Sequence, residues 1–155
     1  GLFHTRDKAL KAIEDVKGLR MRAPNPSTLA LLAFLGATPV GMPPGQVYEN
    51  LQKGVIDGAV IPWEVVPAVK VQELCKFHTE IPGSPTLYTT TFILAMNKAK
   101  YESLSPELKK VVDNNSGQAF SGQIGKVFLA SDAEGKKLIG AVLVNQAVKR
   151  KAESS

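Results

Sequence analysis

The chain has 155 residues, enough for one domain with a real core. Its 44% apolar and 21% charged residues are those of an ordinary globular protein, and no run approaches the eighteen apolar residues of a membrane span. The net charge of +5 admits small acids, anionic lipid or nucleic acid as partners. The lysines are interleaved with acids, however, and the one dense cluster, Lys149-Arg150-Lys151, carries no aromatics on which bases could stack, so no nucleic-acid role is expected.

In chain order, Gly1–Thr5 reads as a strand and Ala12–Lys17 as a short helical turn stopped by Gly18. Leu19–Ala23 is a strand. Asn25-Pro26-Ser27 then offers a helix cap with proline in the first turn, and TLALLAFLG follows as an apolar helix. Ala37–Met42 contains Pro39 and Gly41, which suit an edge strand. Pro43-Pro44-Gly45 opens a helix that Gly54 closes. Val55–Ile61 carries a strand, and Pro62-Trp63-Glu64 starts a third helix running to about Lys76. Phe77–Ile81 and Tyr88–Asn97 are both expected to be strands; the second, YTTTFILAM, is almost wholly β-branched or aromatic. Ser105-Pro106-Glu107 is a helix start, and the proline-free remainder, 107–152, is expected to form one long helix bent near Gly117, Gly122 and Gly125. The lobe proper is then 1–106. Strands alternating with helices argue an α/β fold, a mixed sheet flanked by helices, with ligands held beyond the carboxyl ends of strands.

Few residues carry chemistry. No nucleophile–base, phosphate-loop or zinc-binding pattern is present, so an enzyme is not expected, nor any cofactor or metal. Cys75 is the lone cysteine, on what reads as a helix face, and is expected to be a buried inert thiol. His4 and His78 have no metal-ligand neighbour at helical spacing and read as surface or strand residues. Arg22 is different. It ends a strand and directly precedes a proline-capped helix, where a guanidinium can take a carboxylate or phosphate in a bidentate pair; a salt bridge to a local acid is the alternative. Trp63, the only tryptophan, follows Pro62 at a second strand-to-helix junction, and serves either the core or a pocket wall.

KGLRMRAPN, then GATPVGMPPGQVYENLQKGVIDGAVIPWE, then YTTTFILAMNKAKYESLSPELKKVVD, together resemble the solute-binding subunit of tripartite ATP-independent periplasmic (TRAP) transporters, of the dicarboxylate-binding type. The resemblance covers roughly residues 5–138. It implies an extracytoplasmic, periplasmic protein of a periplasmic-binding-protein-like fold, of which this chain is about one lobe with a long C-terminal helix. It implies a small organic acid as ligand and TRAP membrane permease subunits as partners. The family's arginine–carboxylate pair falls on Arg22, with Arg20 at a variable, solvated position. Asn25, Pro44, Ile61 and Trp63 complete the implied ligand site. Ile61 stands where relatives that bind polar acids often have Asn, and Pro44 where many have an aromatic; both lean the pocket toward an apolar or aromatic monocarboxylate. The ending LIGAVLVNQAVKRKAESS, from about 139, does not resemble the family. A lobe lacking its counterpart is expected to bind weakly and to self-associate, plausibly as a homodimer; the alternative to a solute receptor is a lobe that only self-associates.

Overall fold

The computed structural model describes residues 1–81 and 86–139. Five short strands form one mixed sheet: β1 (Leu2–Thr5), β2 (Arg20–Ala23), β3 (Thr38–Gly41), β4 (Gly58–Ile61) and β5 (Phe77–Thr79). Their spatial order is β3-β2-β4-β1-β5. β2 runs parallel to β3 and to β4, whereas β1 is antiparallel to both β4 and β5. Proline-bearing β3 lies at an edge, where a missing backbone donor costs nothing.

Both faces of the sheet are buried, because side chains alternate along each strand. Leu2, Ala59 and Ile61 face a cluster with Val47, Leu51, Val66, Val71 and Trp63. Phe3, Met21, Ala23 and Val60 face the opposite cluster, with Leu32 and Leu10. The first cluster is covered by α2 (Val47–Gln52) and α3 (Val71–Leu74), the second by α1 (Pro26–Phe34). Gly58 lies where β1 and β2 press on β4; a methyl there would overlap the His4 carbonyl oxygen and crowd the Met21 sulfur.

Three expectations are corrected. The third helix is broken: a 3₁₀ turn, Trp63–Val65, leads to a turn in which Lys70 is left-handed (φ 51), and only Val71–Leu74 is α-helical. Pro67 interrupts the helical hydrogen bonding, as a residue without an N–H must. The segment Tyr88–Asn97 is not a strand of the sheet. It carries no regular secondary structure and pairs with no strand among the described residues, with Phe92, Ile93 and Leu94 67%, 84% and 83% exposed. A β-rich composition creates no strand without a neighbour to pair with. The region after Pro106 is two helices, α5 (Pro106–Asn114) and α6 (Gly117–Leu138), separated at Gly117 (φ 71); a shorter α4 (Lys98–Glu102) precedes them. The non-family ending, the cluster Lys149-Arg150-Lys151 and the expected helix beyond 139 lie outside the described residues.

Candidate functional site

β2 carries two arginines on one face, and the structure gives them different fates. Arg20 is exposed. Its backbone N–H and Nε donate to Asp57 Oδ2 at 2.8 and 2.9 Å, and its Nη2 pairs with Oδ1. The Arg20 guanidinium accordingly holds the Asp57 carboxyl below its ordinary range. Arg22 sits two residues further, opposite Val40 of β3 and Ala59 of β4, and is only 4% exposed. Its Nε donates to the Met42 carbonyl at 3.0 Å, and its Nη1 lies 3.4 Å from the Val60 carbonyl. No carboxylate within the described residues pairs with it. The salt-bridge alternative is therefore not what the fold adopts. Burial pushes the Arg22 pKa down, opposed by the Tyr88 hydroxyl nearby. A desolvated guanidinium held only by neutral carbonyls leaves donors and charge for an anion.

The two carbonyls define the site's flanks. Met42 leads into Pro43-Pro44, and Val60 precedes Ile61. The Arg22 guanidinium thus bridges the chain beyond β3 and the end of β4. At the end of β2 the chain turns through Pro24 into α1. Asn25 caps that helix, its Oδ1 accepting from Thr28 N and Thr28 Oγ1, each at 2.9 Å. The carboxamide oxygen is fully occupied by capping, so Asn25 can offer a ligand only its NH₂ group.

The remaining expected residues divide. Pro44 is exposed, at the start of a 3₁₀ turn, Pro44–Gln46. Ile61 is fully buried in the apolar cluster. Trp63 is 7% exposed and stands edge-on to His4, with ring centroids 5.4 Å apart, and tilted on His78 at 5.8 Å. The core role weighed for Trp63 is the one seen within this chain. The histidines are strand residues, in β1 and β5, and neither is at the surface. His4 and His78 face each other across β1 and β5 with their Nδ1 atoms 2.6 Å apart, both buried. His4 Nε2 lies 3.0 Å from the Ile61 carbonyl, which can only accept. His4 therefore carries its proton on Nε2, and the bond between the rings must be donated by His78. Burial first, and His78 second, push the His4 pKa down to about 3.

Tyr88 is the residue that sequence reasoning missed. Its hydroxyl lies 3.5 Å from the Val60 carbonyl that Arg22 also approaches. It lines two open cavities. One, of about 220 Å³, is bounded by Asn25, Thr28 and Leu31. The other, of about 270 Å³, is bounded by Pro62, Glu64, Phe92, Phe128 and Asp132. Phe92 and Phe128 stack there at 5.6 Å and 18°. The only sequence signal at Tyr88 was its β propensity, which pointed to the sheet. Cys75 is a free, buried thiol, its pKa raised to about 12 by burial, which leaves it protonated and unreactive.

Residues 2–125 match the family described as bacterial extracellular solute-binding protein, family 7. The chain belongs to this family. The family is one of solute-binding proteins. Among curated relatives, the 2,3-diketo-L-gulonate-binding periplasmic protein of Escherichia coli is 33% identical over 81% of this chain and 37% of its own length. The ectoine/5-hydroxyectoine-binding periplasmic protein of Ruegeria pomeroyi is 32% identical over 76% and 33%. Among solved structures, a TRAP solute-binding protein from Rhodoferax ferrireducens, crystallised with copurified benzoate, is 52% identical with a TM-score of 0.84, over 89% of this chain and 43% of that one. A marine-metagenome TRAP solute-binding protein described as specific for aromatic acids, with bound 3-hydroxybenzoate, is 45% identical with a TM-score of 0.89, over 95% and 47%. The chain spans less than half the length of these family members, and within that span it has the fold of a single lobe of a TRAP solute-binding protein. The curated relatives named here are periplasmic, and no helix among the described residues is long and apolar enough to cross a membrane.

Proposed function

We propose that this chain is the arginine-bearing lobe of a periplasmic receptor for a small aromatic monocarboxylate, delivered to TRAP membrane permease subunits for uptake. The observation that carries the reading is Arg22: 4% exposed, braced by the Met42 and Val60 carbonyls, and unpaired with any carboxylate among the described residues. A carboxylate arriving there gains a charge-assisted, bidentate pair and relieves a desolvated cation. Asn25 contributes its NH₂ group beside it. Pro44 and Ile61 keep their flanks apolar, and Trp63 supports the end of β4 from beneath. Tyr88, whose hydroxyl approaches the same Val60 carbonyl as Arg22, supplies aromatic surface near the cation, and it also lines a cavity with the stacked Phe92 and Phe128. The benzoate and 3-hydroxybenzoate bound by the two solved relatives support an aromatic body for the ligand.

Calorimetric titration of benzoate, 3-hydroxybenzoate and D-glucuronate into the 155-residue chain and into Arg22→Met tests this. Aromatic acids are expected to bind the wild type, more weakly than they bind a two-lobed receptor because half a cleft buries half a ligand, and the variant is expected to bind none. Arg22→Met is also expected to be at least as stable as wild type, since it removes a buried charge without a counter-ion. Equal binding by the two proteins would rule out Arg22 as the clamp.

A second reading, a lobe that folds and self-associates without binding solute, rests on the exposed run Phe92-Ile93-Leu94 and on Val127 and Leu129 of α6, 61% and 71% exposed. Sedimentation showing a dimer, with no heat from any acid, would favour it.

A further inference from the structure

Helix α6 meets the 3₁₀ turn Trp63–Val65 through one face. Asp132, Gly135, Lys136 and Ile139 fall at i, i+3, i+4 and i+7, and so stack along one side. Asp132 Oδ1 accepts the Glu64 backbone N–H at 3.0 Å. At Gly135 a methyl would overlap the Trp63 carbonyl oxygen, so the helix rests directly on that backbone. Ile139 is buried in the same apolar cluster as Trp63. Lys136 Nζ lies 2.9 and 3.1 Å from the two oxygens of Glu80, just beyond β5, and Glu80 Oε1 accepts the Trp63 indole N–H at 2.7 Å. One carboxylate therefore serves both the helix and the aromatic ring. That ring stands two residues beyond Ile61, whose carbonyl receives His4 and whose predecessor's carbonyl faces Arg22.

We propose that Glu80 is a positioning residue, coupling the solute-binding end of β4 to helix α6 by holding the Trp63 indole and the Lys136 ammonium on one carboxylate. The proposal rests on the reading that the Arg22 end of the sheet is the solute site. Displacement of α6 pulls on Lys136 and on the Glu64 and Trp63 backbone together. The Trp63 ring cannot stay in place unless Glu80 follows. Solute binding at Arg22, which acts on Val60, and movement of α6 are thus linked through three adjacent residues of one strand exit, 61–63, rather than through the whole lobe.

Trp63 is the only tryptophan, so its fluorescence reports one ring. The test compares wild type, Glu80→Gln, Lys136→Met and the double variant, without ligand, by hydrogen exchange at residues 132–138 and by Trp63 emission and acrylamide quenching. Glu80→Gln keeps an acceptor for the indole and removes the charge that Lys136 meets. Exchange at 132–138 is expected to quicken about two- to fivefold in each single variant, the range set by a partly exposed ion pair. The double variant is expected to be no faster than either single one. Trp63 quenching is expected to rise in Lys136→Met, although Lys136 makes no hydrogen bond to the ring. Additive effects on exchange, or a Lys136→Met protein whose Trp63 signal matches wild type, would overturn the coupling. The same comparison in an Arg22→Met background keeps the two readings apart. A failed solute site leaves these differences intact, and a failed coupling removes them whatever Arg22 does.

Discussion

Acidification should unfold this lobe through His4, and the size of the effect follows from where that ring is placed. His4 is fully buried, donates to the Ile61 carbonyl and accepts from His78, so a second proton has no acceptor waiting for it. Its pKa is lowered from the ordinary 6.5 to about 3. The unfolded chain therefore binds a proton at His4 well before the folded one does. The stability this provides is present above pH 6.5 and is lost as pH falls toward 3. Between pH 7 and pH 4 the difference amounts to about 3 kcal/mol. His78, whose pKa burial also lowers, acts in the same direction. Urea unfolding at pH 7, 5.5 and 4, followed by the fluorescence of Trp63, measures it. Carboxylates titrate over part of this range, so the decisive quantity is the difference between wild type and His4→Gln at each pH. The glutamine variant is less stable at pH 7 because it breaks the His78–His4–Ile61 chain of hydrogen bonds. Its deficit should shrink by about 3 kcal/mol by pH 4, where the wild type has lost what the variant never had. A deficit constant across the three pH values would refute the reasoning.

Two further outcomes are expected. Gly135→Ala places a methyl against the Trp63 carbonyl and must lift α6 from its seat; a loss of about 1–3 kcal/mol in urea unfolding is expected, whereas Gly125→Ala, with open space around it, should be neutral or stabilising. Asn25→Ala removes the cap of α1 and should cost about 1 kcal/mol in the same measurement, while Asn25→Asp retains the acceptor, keeps stability, and weakens carboxylate binding by placing a second negative charge beside the ligand.

What could be foreseen from the sequence was what depends on neighbours in the chain. Asn25 and Ser105 cap helices because a short side chain three residues from a free N–H reaches it whatever the rest of the protein does. Pro39 put β3 at an edge, for want of a donor. Arg22 was singled out by position, since the end of a strand before a capped helix is where α/β folds present cations to ligands. What the sequence hid depends on distant partners. His4 and His78 are 74 residues apart, and nothing local says that their rings meet. Tyr88–Asn97 has the composition of a strand but, within the described residues, no neighbour to complete one. The apolar residues Val127 and Leu138 of α6 are both exposed. The face in use is Asp132, Gly135, Lys136 and Ile139. Hydrophobic periodicity points to Ile139 but not to the rest, because Asp132, Gly135 and Lys136 work by close backbone approach and polar contacts.

The strand order also fixes a sequence in time. Parallel β3, β2 and β4 lie within residues 20–61 and can pair from segments close together in the chain. β1 lies between β4 and β5, so it can join β4 once residue 61 has been made, and β5 then adds to its free edge. Leu2–Thr5 therefore depends on a partner strand more than fifty residues further along the chain. Pairing with β4 brings His4 to the Ile61 carbonyl, and the arrival of β5 brings His78 to His4. The buried imidazole pair thus registers that β5, the last of these strands in the chain, has closed on the sheet.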